Sequence, residues 1–212
     1  LAFDGTMEGS LRTPRVSGNL SAEGVRIGDV KGLRVQGALG FDARALDVST
    51  LTVESPVNRV AVQGSLPWRD ASGGGAFEAH IGDPAPLVPM IPGPWQPAGT
   101  FDVTGRWAGS AQNLRATATL LGTDVTINGL AFESLTGDLD LADRILQLKQ
   151  LQATQPGGAL SASASWDLSS QTLIADTTGR GLALSVLAPD EAGGLDTRAR
   201  LSNLSIDAHI EG

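Results

Sequence analysis

Residues able to do chemistry are scarce in this chain. His80 and His209 are its two histidines, and it has no cysteine, which removes disulfide frameworks and thiolate metal sites. Each histidine lies in an alternating segment and reads as a strand residue. Asp138, Asp140 and Asp143 suggest a calcium ligand set, but the first two alternate with Leu139 and Leu141 and lack the spacing of an EF-hand. They read as the wet side of a strand. Ser161, Ser163, Ser165, Ser169 and Ser170 have no nearby histidine to activate a hydroxyl. Gly73-Gly74-Gly75 precedes a strand, so it reads as a flexible turn and not as a phosphate cradle at a helix N-terminus. Trp68, Trp95, Trp107 and Trp166 suit core plugs, rim residues of a channel, or carbohydrate platforms. Arg12, Arg15, Arg44, Arg115 and Arg144 suit solvated turns, or lipid-phosphate contacts at a groove rim. These patterns imply no catalytic residue, no metal and no cofactor, and the chain reads as a non-enzyme.

The balance of 15 basic against 23 acidic residues gives a net charge of −8. That disfavours nucleic acid, whose binders neutralise phosphates with clustered Lys and Arg. It also disfavours electrostatic docking on anionic lipid, because no polybasic run is present. No stretch of 18 apolar residues occurs, so no segment of this sequence spans a membrane as a helix. The chain opens Leu1-Ala2-Phe3-Asp4, which reads as a piece of a longer protein with any signal or anchor outside it.

Apolar and polar residues alternate almost throughout, a period of two that means strands with one face toward water. Strands are expected at 1–9, 14–22, 24–28, 33–42, 44–54, 58–66, 76–82, 100–107, 114–121, 123–128, 130–142, 144–154, 159–167, 171–178 and 195–211, the last broken near 202. Two short helices are expected at 84–91 and 182–188. The phase of the alternation slips between Val48 and Leu51 and again between Leu148 and Leu151. A bulge at each place restores the apolar face.

Those two slips are part of a repeat. Segment 9–68 lies on segment 109–168 without a gap and with 13 identities in 60 positions, among them Gly9/Gly109, Leu39/Leu139 and Pro56/Pro156. That is about three times the chance expectation for this composition. Units at 1–100 and 101–203 follow, with 204–212 starting a third because Ile206, Ala208 and Ile210 resemble Phe3, Gly5 and Met7. Together they form one continuous body. The fold class is all-β, an elongated curled antiparallel sheet with an apolar concave face.

The side chains expected on that face come from both units. Unit one supplies Val16, Leu20, Val25, Ile27, Leu33, Val35, Leu39, Phe41, Leu46, Val48, Leu51, Val53, Val60, Val62 and Leu66. Unit two supplies Leu120, Val125, Ile127, Leu135, Leu139, Leu141, Leu146, Leu148, Leu151 and Leu160. A dry sandwich core of Leu, Val and Ala is one use of such a face. An unfilled channel holding acyl chains is the other, since each buried methylene is worth about 0.8 kcal/mol.

The phrases GSLRTPRVSGNLSAEGVRIGDVKGLRVQGAL at 9–39, LDVSTLTVESPVNRVAVQGSL at 46–66 and GTFDVTGRWAGSAQNLRATATL at 99–120 resemble the TamB family of AsmA-like envelope proteins. The linker PAPLVPMIPGPWQPAG at 84–99 is similar to that family's Leu/Pro-rich connector, whereas Ala164 departs from the family-like Gly64. The resemblance implies a curled, taco-like sheet in a periplasmic bridge protein anchored in the inner membrane. It implies phospholipid as cargo between inner and outer membranes, and an outer-membrane barrel protein as a possible partner. A structural, strand-pairing repeat is the alternative. A glycan-binding module is disfavoured by the absence of Tyr, a hydrolase by the absence of a triad, and an outer-membrane barrel by the absence of aromatic girdles.

Overall fold

The computed structural model describes residues 2–10, 13–27, 30–68, 72–90, 96–170, 172–180, 182–183, 200–201 and 204–210. Twelve strands follow one another in the sequence. Unit one contributes β1 (Ala2–Ser10), β2 (Thr13–Ile27), β3 (Val30–Phe41), β4 (Ala45–Glu54), β5 (Asn58–Pro67) and β6 (Gly73–Ile81). Unit two contributes β7 (Pro97–Gly109), β8 (Leu114–Ile127), β9 (Leu130–Ala142), β10 (Ile145–Gln155), β11 (Gly158–Asp167) and β12 (Thr172–Arg180). The short strands β13 (Leu182–Ala183) and β14 (Arg200–Leu201) pair with each other, and β15 (Leu204–Ile210) pairs with β12. One 3-10 helix, Ala85–Met90, links the units.

The main sheet has thirteen strands in the order β1 through β12 and then β15, each antiparallel to its neighbours. It curls but does not close into a barrel. Strand β7 pairs with β6 and with β8, so the ladder runs unbroken across position 100. Elements β8 to β12 follow β2 to β6 at an offset of about 100 residues.

Turn chemistry sets the hairpins. Asn128-Gly129 joins β8 to β9 with φ of 49° and 82°, and Asp143-Arg144 joins β9 to β10 with φ of 52° and 66°. Two successive left-handed residues make the type I′ geometry that matches strand twist. Unit one uses a longer loop at the second of these places. There Asp42 Oδ1 accepts the Arg44 and Ala45 amides at 2.7 and 3.1 Å. The connector around the 3-10 helix is held by an asparagine at each side. Asn58 donates to the Asp83 carbonyl at 2.8 Å and accepts the Asp83 amide at 2.9 Å. Asn128 Oδ1 accepts the Gln96 amide at 2.8 Å.

Both expected bulges are present, with the register shifting between Val48 and Leu51 and between Leu148 and Leu151. Four departures from the sequence expectation stand out. Segments 14–22 and 24–28 are one strand, as are 114–121 and 123–128. The alternation breaks inside each at a left-handed residue, Gly24 (φ 66°) and Asp124 (φ 51°). Gly73-Gly74-Gly75 belongs to β6 instead of a turn, because the Trp107 ring lies over Gly75 and leaves no room for a side chain there. The expected helix at 182–188 begins instead with the paired strand β13, and its remainder lies outside the described residues. Finally, Leu204, Ile206 and Ala208 hold the register positions of Val103, Gly105 and Trp107, which are those of Phe3, Gly5 and Met7. The third unit therefore starts two residues out from the alignment read in the sequence.

The break at Gly24 gives a clean backbone test, since a Cβ built there meets nothing within 4 Å. Gly24→Ala is expected to destabilise by about 1 kcal/mol and Asp124→Gly to stabilise by up to about 1 kcal/mol, both read as shifts of the urea midpoint.

Candidate functional site

Opposed residues in an antiparallel ladder share a face, so the register reads out complete rows across the sheet. One row runs Leu20, Gly37, Leu51, Val62, Phe77, Gly105, Ala118, Leu139, Leu148, Ala164 and Ala175. The next runs Ala22, Val35, Val53, Val60, Ala79, Val103, Leu120, Gly137, Leu151, Ala162 and Thr177. On its other side lie Gly18, Leu39, Val48, Gly64, Gly75, Trp107, Ala116, Leu141, Leu146, Trp166 and Leu173. No Asp, Glu, Lys or Arg occupies any of the three. At roughly 4.8 Å per strand, the ten spacings from β2 to β12 make a charge-free strip about 48 Å long.

All 25 apolar side chains expected on one face fall on this face. Val16, Phe41, Leu46 and Leu66 border the strip on one side, and Val25, Ile27, Leu33, Val125, Ile127, Leu135 and Leu160 on the other. The sequence reading missed Phe77, Phe101, Val103 and Phe132 on the same face, and the structure places Trp107 and Trp166 there with them. A search that carried the period-two rows across neighbouring strands would have found most of them.

The strip is uncovered over much of its length. The chain exposes 13853 Å², about 1.5 times the roughly 9,300 Å² of a compact chain of this mass. Phe3, Phe41 and Val60 are 51%, 46% and 37% exposed. Its turn-proximal margin in unit two is different, for there Val125, Phe132, Leu135 and Ala153 close into a sealed cluster backed by Phe101, Leu120, Ile127, Leu130, Leu151 and Leu160. Val125 and Leu135, both expected to line an open groove, are instead inside that cluster at 0% and 2% exposure, and Leu33 and Val48 are buried in unit one. The phase break at Asp124 is the cause, since it places Val125 against Gly122 and Leu135.

The opposite face carries the charges. Arg34, Glu54, Arg59, His80 and Asp102 stand in one row across β3 to β7. Ion pairs join Arg59 to Glu54 at 3.4 Å and Lys149 to Asp140 at 3.0 Å, and His80 Nδ1 lies 2.7 Å from Asp102 Oδ1. All three pairs are too exposed to add much stability. A depression of about 710 Å³ also lies on this polar face, across β4 to β8, bordered by Thr52, Ala61, Glu78, Thr104, Arg106 and Thr119. A twisted sheet is saddle-shaped, so each face is hollow along one diagonal.

The chemical candidates are scattered. Asp138 and Asp140 face solvent beside Thr119 and Thr117, and Asp143 is a turn residue. No three His, Asp or Glu side chains come together as a metal site among the described residues. His209 pairs through its backbone with Ile174. Trp68 Nε1 donates to the Asp42 carbonyl at 2.9 Å at a loop, whereas Trp107 and Trp166 lie on the strip. Trp95 and Arg12 lie outside the described residues. Trp166 Nε1 is buried with no hydrogen-bond partner, a donor whose desolvation costs about 1–3 kcal/mol. Arg15 sits 3.5 Å from Asp42, and Arg44 and Arg144 are turn residues. No family model, curated protein or solved structure matches the chain.

Two outcomes follow. Leu135→Ala is expected to cost about 2–4 kcal/mol, against under about 1 kcal/mol for Val60→Ala on the open strip, in chemical denaturation. The carboxyls of Asp42 and Asp167 are held below the usual range, chiefly by the amides of Arg44 and Ala45 and of Ser169 and Ser170. A depressed folded pKa stabilises above the unfolded value near 3.8 and is lost as pH falls through the folded one. The urea midpoint should therefore fall as pH drops below about 4, with a shallower fall in Asp42→Asn.

Proposed function

We propose that the chain is a non-enzymatic segment of a TamB-like, AsmA-like lipid-transfer protein of the bacterial envelope, and that its apolar strip carries phospholipid acyl chains between inner and outer membranes. In this reading it resides in the periplasm, and parts outside this chain make the membrane contacts. The observation that carries the proposal is the charge-free strip, three rows wide across eleven strands, whose side chains stay partly exposed over much of its length. A face of that size needs an apolar occupant, and a dozen methylenes laid along it are worth roughly 10 kcal/mol before ordering costs. The strip has no step in polarity, so an acyl chain meets similar Leu, Val and Ala walls at every strand and can move along them. A polar head group stays outside, at the turn end of the strands where Arg44 and Arg144 lie.

A second reading is a strand-pairing repeat that assists assembly of an outer-membrane or surface protein with a barrel partner, and the unbroken backbone ladder of the sheet suits it.

Native mass spectrometry with lipid extraction tests the first reading. The purified chain is expected to carry phospholipid, or to acquire it from phosphatidylethanolamine–phosphatidylglycerol vesicles. Leu39→Asp and Leu139→Asp should cut occupancy at least about tenfold while leaving a folded β spectrum, since a carboxylate on the strip costs several kcal/mol to bury. Bare protein after vesicle incubation, or unchanged occupancy in both variants, would overturn it.

A further inference from the structure

We infer that the junction of the two units is a hinge: the sheet bends about the glycine-rich end of β6, and Trp107 is the stop that limits bending toward the apolar face. The repeat supplies the argument, because β11 and β12 are the same pair of strands built without these glycines. Gly64 lies opposite Gly75 and Ser65 opposite Gly74, as Ala164 lies opposite Ala175 and Ser165 opposite Ile174. Where β12 carries Leu173, Ile174 and Ala175, β6 carries Gly73, Gly74 and Gly75. Cross-strand side-chain pairs stabilise one sheet geometry over others, and glycines inside strands mark places where a sheet bends. At Gly74 there is no side chain to pair with its opposed residues, Ser65 in β5 and Ala108 in β7.

Both faces of the sheet show the consequence. On the polar side the depression of about 710 Å³ spans β4 to β8, with β6 at its centre, and Gln63, Ala76, Arg106 and Thr117 border it. The two units thus meet at a concave angle on that side. On the apolar side the Trp107 indole reaches from β7 across β6 to β5. A Cβ at Gly75 would stand 2.6 Å from its ring, and one at Gly64 would stand 2.7 Å from it. The ring occupies the space into which the units would close on the apolar side, so the freedom that remains is toward the polar side.

The connector at the junction is attached in keeping with this. Asn58 of β5 holds Asp83, which follows β6, and Asn128 after β8 holds Gln96, which precedes β7. Each end of the connector is tied to its own unit, and neither clasp crosses the junction. One polar contact does cross it, His80 to Asp102 between β6 and β7. That pair stands at the opposite end of β6 from Gly74 and ties the ladder there. The motion is therefore a splaying of the Gly73–Gly75 end, and it changes the angle at which the apolar strip passes from one unit to the next.

Spin-label distances from double electron–electron resonance test this on the full chain, which has no cysteine of its own. The junction pair is Asp47→Cys with Arg115→Cys, linked through the opposed residues Ser65, Gly74 and Ala108. The reference pair is Thr117→Cys with Ile174→Cys, linked within unit two through Asp140, Gln147 and Ser165. All four sites are exposed on the polar face, and each pair spans four strand spacings, about 19 Å. The junction pair is expected to give a distance distribution at least about twice as wide as the reference pair. A Cβ at Gly74 would stand 3.1 Å from its nearest neighbour, the Trp107 carbonyl oxygen. Gly74→Val should therefore be accommodated and should narrow the junction distribution to the reference width. Trp107→Ala should extend it to longer distances, since closure toward the apolar face parts labels on the polar face. Equal widths for the two pairs, or a junction width that Gly74→Val leaves unchanged, would overturn the hinge. An unchanged distribution in Trp107→Ala would overturn the stop.

Discussion

Adjacency between sequence-consecutive strands governs this molecule. From β2 to β11 each strand is hydrogen-bonded to the strand before it and the strand after it. Among the described residues the other sheet is the two-stranded pair β13–β14, too small to set the position of these strands from above. Order therefore passes along the ladder one hairpin at a time, and each strand must deliver its apolar parity to the same side as its neighbour. Among the described residues seven apolar side chains are buried below a tenth of their surface, so side-chain burial alone does not impose this. The backbone ladder and the turn residues do, and the side chains then close what the ladder has aligned.

Phase is consequently the quantity that the sequence had to control, and it was the most legible part of it. The slips at Val48–Leu51 and Leu148–Leu151 were readable because Leu on both sides marks the parity before and after. The breaks at Gly24 and Asp124 were not read as such. A phase change with a glycine beside it looks like the end of one strand and the start of another, and only the left-handed backbone shows that the strand continues. Gly73-Gly74-Gly75 misled for a related reason. Glycine runs usually mark turns, but here Trp107 covers the place that a side chain at Gly75 would take, and Trp107 is thirty-two positions away in the sequence. The sealed cluster around Val125 was hidden by the same phase break, since alternation gives a face but says nothing of how far the face bends. The polar depression over β4–β8 is a product of sheet twist, which no local pattern encodes.

The small residues on the apolar face have a positive role. A Cβ at Gly37 would stand 3.0 Å from a Leu51 methyl, and one at Gly122 would stand 2.6 Å from a Val125 methyl. At Gly105 the intruder would be the Phe77 ring. Each of these glycines is the floor on which a larger neighbour lies down, from the adjacent strand at Gly37 and Gly105 and from the same strand at Gly122. Large side chains resting across glycines make a thin apolar layer, whereas large side chains standing upright would interdigitate and fill the hollow. Scarcity of aromatics, with five Phe, four Trp and no Tyr, works in the same direction.

That thin layer explains why the sheet is open. Closing a barrel removes the edge strands but needs an interior filled with side chains or ligand. With Gly and Ala at many positions of the three central rows, closure of the bare chain would leave voids, and voids forfeit the contacts that closure was meant to provide. Folding the sheet over on itself fails for the same reason everywhere except the turn-proximal margin of unit two. There the break at Asp124 turns Val125 inward and Phe132, Leu135 and Ala153 meet it. Unit one has Gly24 at the corresponding break, but the residue paired with Val25 is Leu33, where Phe132 is paired with Val125. Its apolar margin therefore stays more open, with Val60 exposed where Leu160 is packed. The two units share a backbone plan and differ in how far they seal it, and Phe132 in the place of Leu33 opposite the break is one source of that difference.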